Sequence, residues 1–289
     1  MKYLSLNEYL KSRFGCKIYK LSLDGGFSCP NRDGTVGTGG CIFCLEGSSD
    51  FSIPCDEDAF SAIENAKALV ADKGAEKYIA YFQSYTGTYA PLERLKTLYF
   101  SAIRHPDIVA LSIGTRPDCL GEDVIALLSE LNSIKPVFVE LGLQTIHPAT
   151  AAYIRRGYPL EVFDDAVARL RKAGIEVVVH MIIGLPGESR EMMLQTAKYI
   201  ADSGARGIKF QLLHVLKGTD LEKDYLAGKF EVLSPEEYIS VLKDCLALMP
   251  EDMVIHRLTG DGPKRSTLAP LWSLDKKKVI NAINKALGD

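Results

Sequence analysis

Long apolar runs are missing from this chain. None reaches the about eighteen residues that a membrane-crossing helix needs, and the opening Met1-Lys-Tyr-Leu-Ser-Leu-Asn-Glu8 is too broken by polar residues for a secretion signal. A cytoplasmic protein without a membrane partner is expected. A surplus of positive charge is missing as well: 34 Lys and Arg stand against 37 Asp and Glu, a net charge of -3. Bulk attraction to nucleic acid is thereby excluded, and an RNA partner would have to meet a local basic face. The candidate pieces are Lys11, Arg13, Lys17 and Lys20, then Arg155 with Arg156, and Lys276 to Lys278; each taken alone reads more simply as solvated charge. Cysteine is sparse, seven in all and odd in number, which excludes a disulfide framework and implies reduced thiols. Proline-rich linkers, low-complexity runs and internal repeats are also lacking. Nothing divides residues 1–289, and 47% hydrophobic residues suffice for the core of one large α/β domain. The sequence carries no signal of oligomeric state.

Three of the cysteines are nevertheless gathered within sixteen residues, in Cys29-Pro-Asn-Arg-Asp-Gly-Thr-Val-Gly-Thr-Gly-Gly-Cys41-Ile-Phe-Cys44. The glycines let this backbone fold tightly around something small. Cubane iron–sulfur clusters take cysteine thiolates and normally four of them, so three leave one iron open to an outside ligand. A structural zinc site would share the Cys-x2-Cys step but wants four protein ligands, and no His-x3-5-His or second Cys-x2-Cys follows. Cys16, Cys55, Cys119 and Cys245 are scattered, as small apolar residues are, so no second cluster is signalled and sulfur insertion is disfavoured.

Apolar periodicity divides the rest into alternating units. Residues 1–15 read as a short helix, 17–23 as a strand feeding the cysteine loop, and the stretch from Asp56 as a helix that Gly74 stops. Strands follow at 77–84, 108–113, 137–141, 175–183, 207–213 and 253–258. Between them lie a helix opened by Pro91 and helices over 122–132, 148–156, 161–173, 189–203, 219–227, 235–248 and 275–287. Apolar strands alternating with helices predict a parallel sheet with right-handed crossovers and an active site at the C-terminal strand ends. Periodicity does not say whether such a barrel is open or closed.

Unusual residues collect at those strand ends. Phe82-Gln83-Ser84-Tyr85-Thr86-Gly87-Thr88-Tyr89 puts polar groups where apolar ones would otherwise stand; a polar turn with Tyr85 and Tyr89 on the surface is the plain alternative. The third strand ends in Ser112-Ile-Gly-Thr115-Arg116-Pro-Asp118. Glu140 lies inside an apolar strand, where an unpaired carboxylate is costly, so it must find donors on a ligand or on Arg116 in a structural ion pair. His180 and His214 stand in or just after strands, as satisfied core histidines often do. His256-Arg257, with Asp261 in the glycine turn behind it, is dense in donors and acceptors.

Cys29-x11-Cys41-x2-Cys44, with Phe43 before the last cysteine, resembles the cluster loop of the radical S-adenosylmethionine (SAM) enzymes, although its first spacing exceeds the common Cys-x3-Cys-x2-Cys. The longer spacing is similar to that of the elongator-like branch and of a bacterial subfamily linked to modification of the transfer-RNA wobble uridine. The resemblance implies an α/β fold, a partial (βα)6 TIM-type barrel with an added C-terminal strand and helices. It also implies a cluster loop over 24–47 and a substrate-facing extension over about 214–289. It implies that Cys29, Cys41 and Cys44 hold a catalytic [4Fe–4S] cluster as its metal ligands, with S-adenosyl-L-methionine completing the open iron.

Implied SAM contacts are Phe43 in the loop; Gln83, Ser84 and Thr86, where relatives carry Gly-Gly-Glu; and Ser112, Thr115, Glu140 and Gln144 at the next strand ends. Arg156, or the adjacent Arg155, would bind the SAM carboxylate. His180 would meet the ribose, where some relatives carry an acid, and Leu185 in Gly184-Leu-Pro the adenine. The substrate rim would comprise Arg116, Asp118, His214, His256, Arg257 and Asp261. The implied reaction is reductive SAM cleavage and modification of the 5-substituent of wobble uridine, carboxymethylaminomethyl to aminomethyl, with tRNA as substrate and a flavodoxin or ferredoxin as electron donor. Action on a small metabolite or peptide, or a metal-stabilised RNA-binding module without activity, are the alternatives.

Overall fold

The computed structural model describes residues 2–45, 52–55 and 58–288. The last two positions of loop 24–47 and Asp56, where a helix was expected to open, lie outside the described residues, as do Met1 and Asp289.

The chain opens with β1 (Leu4–Ser5) and α1 (Leu6–Phe14), then runs β2 (Ile18–Asp24), β3 (Ile53–Pro54), α2 (Ala59–Leu69), β4 (Lys77–Phe82), α3 (Leu92–Arg104), β5 (Ile108–Thr115), α4 (Glu122–Ile134), β6 (Val137–Gln144), α5 (Pro148–Tyr153), α6 (Leu160–Lys172) and β7 (Glu176–Ile183). It continues through α7 (Arg190–Asp202), β8 (Gly207–Leu212), β9 (Val215–Leu216), α8 (Asp220–Leu226), α9 (Pro235–Ala247), β10 (Val254–Arg257), β11 (Thr267–Ala269) and α10 (Lys276–Leu287). One sheet has the order β1-β10-β8-β7-β6-β5-β4-β2-β3, every pair parallel, and β9 with β11 forms a small antiparallel pair. β2 and β4 to β8 are the six strands of a curled half-barrel, and β10 beside β8 is the expected seventh. Among the described residues no helix is long and apolar enough to cross a membrane.

Both faces of the wall are covered, and each strand's alternation sorts its residues. Leu21 and Leu23, Ala80 and Phe82, Leu111 and Ile113, Val139 and Leu141, Val177 and Val179, Ile208 and Phe210 face outward into the main core. There they meet Ile63 of α2, Leu95 and Leu98 of α3, Leu128 of α4, Phe163 of α6, Ile200 of α7 and Tyr238 of α9. The residues between them point inward. At the N-terminal end of the barrel Ile18, Ile79, Ala110, Phe138 and Val178 close on Leu10 of α1, which plugs the bottom.

That plug depends on where α1 begins. Ser5 and Glu8 form a capping box that starts the helix, Gly15 ends it in the left-handed region at φ 74, and Leu4–Ser5 are drawn off into the sheet beside Val254 and Ile255. The helix read over 1–15 is shorter for this reason. Gly74 likewise closes a 3-10 turn that follows α2 rather than α2 itself, which stops at Leu69. Pro91 stands one position before the first turn of α3.

Candidate active site

β2 ends at Asp24, whose carboxylate accepts the Gly26 amide at 3.0 Å, and Arg94 of α3 donates to the Gly25 carbonyl at 2.8 Å. The cysteine loop therefore leaves the C-terminal end of the barrel in a set direction. Its backbone then winds on itself: the Arg32 amide donates to the Cys29 carbonyl at 2.8 Å, Val36 to Pro30 at 2.8 Å, Gly40 to Asn31 at 2.8 Å and Cys44 to Cys41 at 2.9 Å. Asn31 Nδ2 ties the loop to the far side of the mouth, donating to the Arg155 carbonyl at 2.6 Å and reaching Cys41 Sγ at 3.6 Å. Only glycine fits opposite: Gly157 has φ +80, and a Cβ there would meet Asn31 Oδ1 at 2.6 Å. Arg32 closes the other end on the Cys44 and Leu45 carbonyls at 3.1 and 2.6 Å.

The three thiols form no disulfide. Burial, then the neighbouring Cys44 and Cys29, push the Cys41 thiol up to about 12. Cys44 is open to solvent on one side, yet the protein mass around it and Cys29 raise it too, against Arg32. The thiols are near enough to raise one another, and a cation bound among them would deprotonate them.

Three non-glycine residues among those described have positive φ, Tyr85 at 56, Gln144 at 67 and Arg155 at 57, and all stand at this end of the barrel. Such conformations cost energy and concentrate at functional sites. Gln144 also follows a register shift between β6 and β7. Its Oε1 and the Ser84 Oγ are buried without a hydrogen-bond partner, a state that polar atoms rarely keep unless a ligand or water completes them. The loop after β4 is pinned: the Gly87 amide donates to the Gly114 carbonyl at 2.8 Å, Thr88 and Thr115 hydroxyls lie 2.6 Å apart, and Gln83 Nε2 donates to Ser22 Oγ at 2.7 Å. Arg116 binds Asp118 through Nε and a terminal nitrogen at 2.9 and 2.7 Å. Burial opposes the Arg116 charge, but Asp118, Cys29 and Cys41 more than offset that and hold its proton tightly. Arg156 spends Nε on the Tyr158 carbonyl at 3.1 Å and Nη1 on the Thr145 carbonyl at 2.6 Å.

Below these exits an inward-facing layer is charged. Glu140, 1% exposed, accepts from Lys20 Nζ at 2.7 Å, Ser112 Oγ at 2.6 Å, His180 Nε2 at 2.7 Å and Lys209 Nζ. Lys209 also donates to the Tyr81 hydroxyl at 2.9 Å, and Gln211 Nε2 faces His180 Nδ1 at 3.2 Å. Burial opposes ionisation of Glu140, but Lys20, Lys209 and His180 prevail and hold it well below the usual carboxylate range. Burial and the nearby charges of Lys20 and Arg257 bring Lys209 down to about 7, against the pull of Glu140. A cavity of about 640 Å³ lies elsewhere, on the outer surface around Phe60, Phe100 and Arg104. It holds no cysteine and none of the candidate residues.

Residues 33–200 match the model of the Radical SAM superfamily, and residues 205–288 that of the Radical_SAM C-terminal domain. The chain belongs to the radical SAM superfamily. The protein YtqA of Bacillus subtilis (strain 168) is 47% identical to it over 99% of this chain and 89% of its own length. A tRNA uridine(34) acetyltransferase of Methanocaldococcus jannaschii is 31% identical over 54% of this chain and 29% of its own length. Among solved structures, archaeal Elp3 of Methanocaldococcus infernus superposes with a TM-score of 0.67 at 21% identity, covering 92% of this chain and 63% of that one, which is a likeness of fold.

The cofactors that go with radical SAM membership are a [4Fe–4S] cluster and SAM. The residues present fit them: three thiols in one loop that form no disulfide, and at the same end of the barrel two buried polar atoms without a hydrogen-bond partner, Ser84 Oγ and Gln144 Oε1. Phe43 and Ile42 of the loop join Leu185 and Ile182 in one apolar cluster, so the loop and the end of β7 are packed together.

Several placements differ from the sequence reading. Glu140 finds its donors on Lys20, Lys209, His180 and Ser112 and not on Arg116, because all four of those side chains face inward in one layer while Arg116 lies beyond the end of β5. His180 has both ring nitrogens engaged within the protein. Lys20 and Arg156 turn inward and drop out of any basic face, and Arg13 is paired with Glu176. The rim candidates divide: Arg116 and Asp118 stand on the thiol side, His214, Asp261 and Arg257 lie after β8 and at the end of β10, and His256 lies inside β10 against Gly207 and Phe138. Sequence reasoning passed over Lys209, Tyr81, Asn31 and Arg32. Lys209 carried the signal that exposed Glu140, a charge inside an apolar strand.

Proposed function

We propose that this radical SAM enzyme acts on transfer RNA, at the 5-substituent of the wobble uridine, and converts a carboxymethylaminomethyl group to aminomethyl. The observation that carries the reading is a loop of three thiols outside any disulfide at the mouth of a half-barrel in a chain of this family. The choice of tRNA is supported by the kinship with an enzyme whose name specifies uridine 34 of tRNA.

In this reading Cys29, Cys41 and Cys44 are the cluster ligands. When bound, the cluster and SAM supply reductive cleavage of the sulfonium and a radical able to abstract hydrogen. Ser84 and Gln144 receive the amino group of SAM, Arg116 and Arg156 present positive charge toward its carboxylate, and the turn at Gly184 and Leu185 lies against the adenine. The barrel wall keeps water from the reacting atoms. A flavodoxin or ferredoxin is the electron donor.

The test is anaerobic incubation of iron- and sulfide-reconstituted protein with SAM, reductant and tRNA, followed by mass spectrometry of the nucleosides. Deoxyadenosine formation that tRNA stimulates, together with conversion of the wobble nucleoside, is expected. Deoxyadenosine without any change in the nucleosides would sink the tRNA assignment, and its absence altogether would sink the enzyme.

A further inference from the structure

The barrel wall does not close on itself: β10, extended by the two residues of β1, forms one side of the opening and β2 the other. On the β10 side lies a cavity of about 310 Å³, lined by Tyr3 and Asn7 from the start of the chain, His256, Arg257 and Thr259 from the end of β10, and Lys276 of α10. Its chemistry is unbalanced in two respects.

The first is hydrogen bonding. Among the described residues Arg257 makes no hydrogen bond; its one charged contact is Asp261, at 3.7 Å. A guanidinium carries five donors, and this one, 36% exposed, has them turned to the cavity and solvent rather than to protein acceptors. Thr259 is 4% exposed, and its Oγ1, next to the Tyr238 hydroxyl that donates to the Leu258 carbonyl at 2.8 Å, makes no well-formed hydrogen bond. His256 Nδ1 is likewise buried and unpartnered. Buried polar atoms in such a state mark a place where a ligand's atoms belong.

The second is charge. Arg257 stands in register with Lys209, so the cavity adjoins the inner layer of the barrel. Cavity and layer together hold Lys20, Lys209, Arg257 and Lys276 against Glu140 and Asp261. Burial keeps His180 and His256 below the ordinary histidine range, so neither adds to the positive charge. The surplus is positive even so, and it adjoins the buried Thr259 Oγ1 and His256 Nδ1.

We infer that this cavity is a substrate subsite for an oxyanion, a carboxylate or a phosphate, gripped by Arg257 with Thr259 and Lys276 beside it. Guanidinium meets either anion through paired N–H donors, which a lysine does not reproduce. The inference rests on the proposed RNA substrate, which offers both sources: a carboxylate on the base substituent and phosphates on the backbone.

The experiment measures binding of three anticodon stem-loop RNAs to the SAM-loaded, cluster-reconstituted protein by fluorescence anisotropy. One carries 5-carboxymethylaminomethyluridine at the wobble position, one its methyl ester, and one unmodified uridine. If the anion is the base carboxylate, Arg257→Gln weakens the acid-bearing RNA by about ten- to hundredfold, the range for a charge-assisted hydrogen bond, and leaves the other two unchanged. If it is a phosphate, all three weaken alike and the slope of log affinity against log salt falls by about 1. Arg257→Lys recovers part of either loss. Thr259→Val, which exchanges one hydroxyl for a methyl, weakens the same RNAs severalfold and supplies the readout should Arg257→Gln fail to fold by circular dichroism. Native affinity of both variants for all three RNAs overturns the subsite while leaving the RNA assignment intact. Failure of the unaltered protein to bind any of them overturns both.

Discussion

Glu140 is the residue on which the barrel interior turns. A buried carboxylate survives only with its lone pairs filled, and here two ammonium groups, a hydroxyl and an imidazole fill them. Replacing it leaves Lys20 without its counterion and Lys209 without the carboxylate that helps it keep a proton. Glu140→Gln is therefore expected to destabilise the fold by about 3–5 kcal/mol in denaturant unfolding; a loss below about 1 kcal/mol would show that the layer is more solvated than the contacts indicate. Lys209 makes a separate prediction. Its folded value of about 7 lies below the ordinary lysine value of about 10.4, so between those two the unfolded chain binds more protons than the folded one. The stability of the native protein relative to Lys209→Met should rise as pH increases from about 7 to about 10, read from melting temperatures of the two side by side. A flat difference across that window would mean that Lys209 keeps its proton. Glu140 was conspicuous in the sequence because a charge stood in an apolar strand, but its partners were not, since Lys20 is 120 positions away along the chain.

At the scale of elements, α1 has the clearest task. It lies across the N-terminal end of the barrel and inserts Leu10, 3% exposed, among Ile18, Ile79 and Phe138. Leu10→Ala should cost about 2–5 kcal/mol, the range for emptying a buried leucine site, as measured by urea unfolding. The capping box at the start of α9, where Ser234 accepts the Glu237 amide and Glu237 accepts from Ser234, is worth less. Ser234→Ala should lower stability by about 1 kcal/mol. Every expected helix and all seven expected strands have counterparts within a few residues, because each advertises itself by a period of its own apolar side chains. β1, β3, β9 and β11 had no such signal. They are two or three residues long and exist only because a distant backbone lies alongside them.

For the whole molecule, the thiol loop is held between the ends of β2, β4, β7 and α5, so ligands bound there stabilise the entire arrangement and not the loop alone. Reconstitution with iron and sulfide should raise the melting temperature, SAM should raise it further, and chelation should reverse the first gain. Protein with alanine at Cys29, Cys41 and Cys44 should show none of these shifts and no visible absorption; an unchanged iron response in that variant would place the metal elsewhere.

The alternation of strand and helix, the three thiols in one loop and the resemblance to the family are matters of spacing along the chain, legible without folding it. Which charges meet depends on how the strands come together. A parallel sheet takes each strand's inward residues and sets them beside those of strands dozens of positions away, so that Lys20, Tyr81, Ser112, Glu140, His180 and Lys209 become one layer. It also left Thr259 Oγ1 and Arg257, which among the described residues meets only Asp261, facing a cavity, because the neighbouring β1 pairs with β10 no further than Ile255.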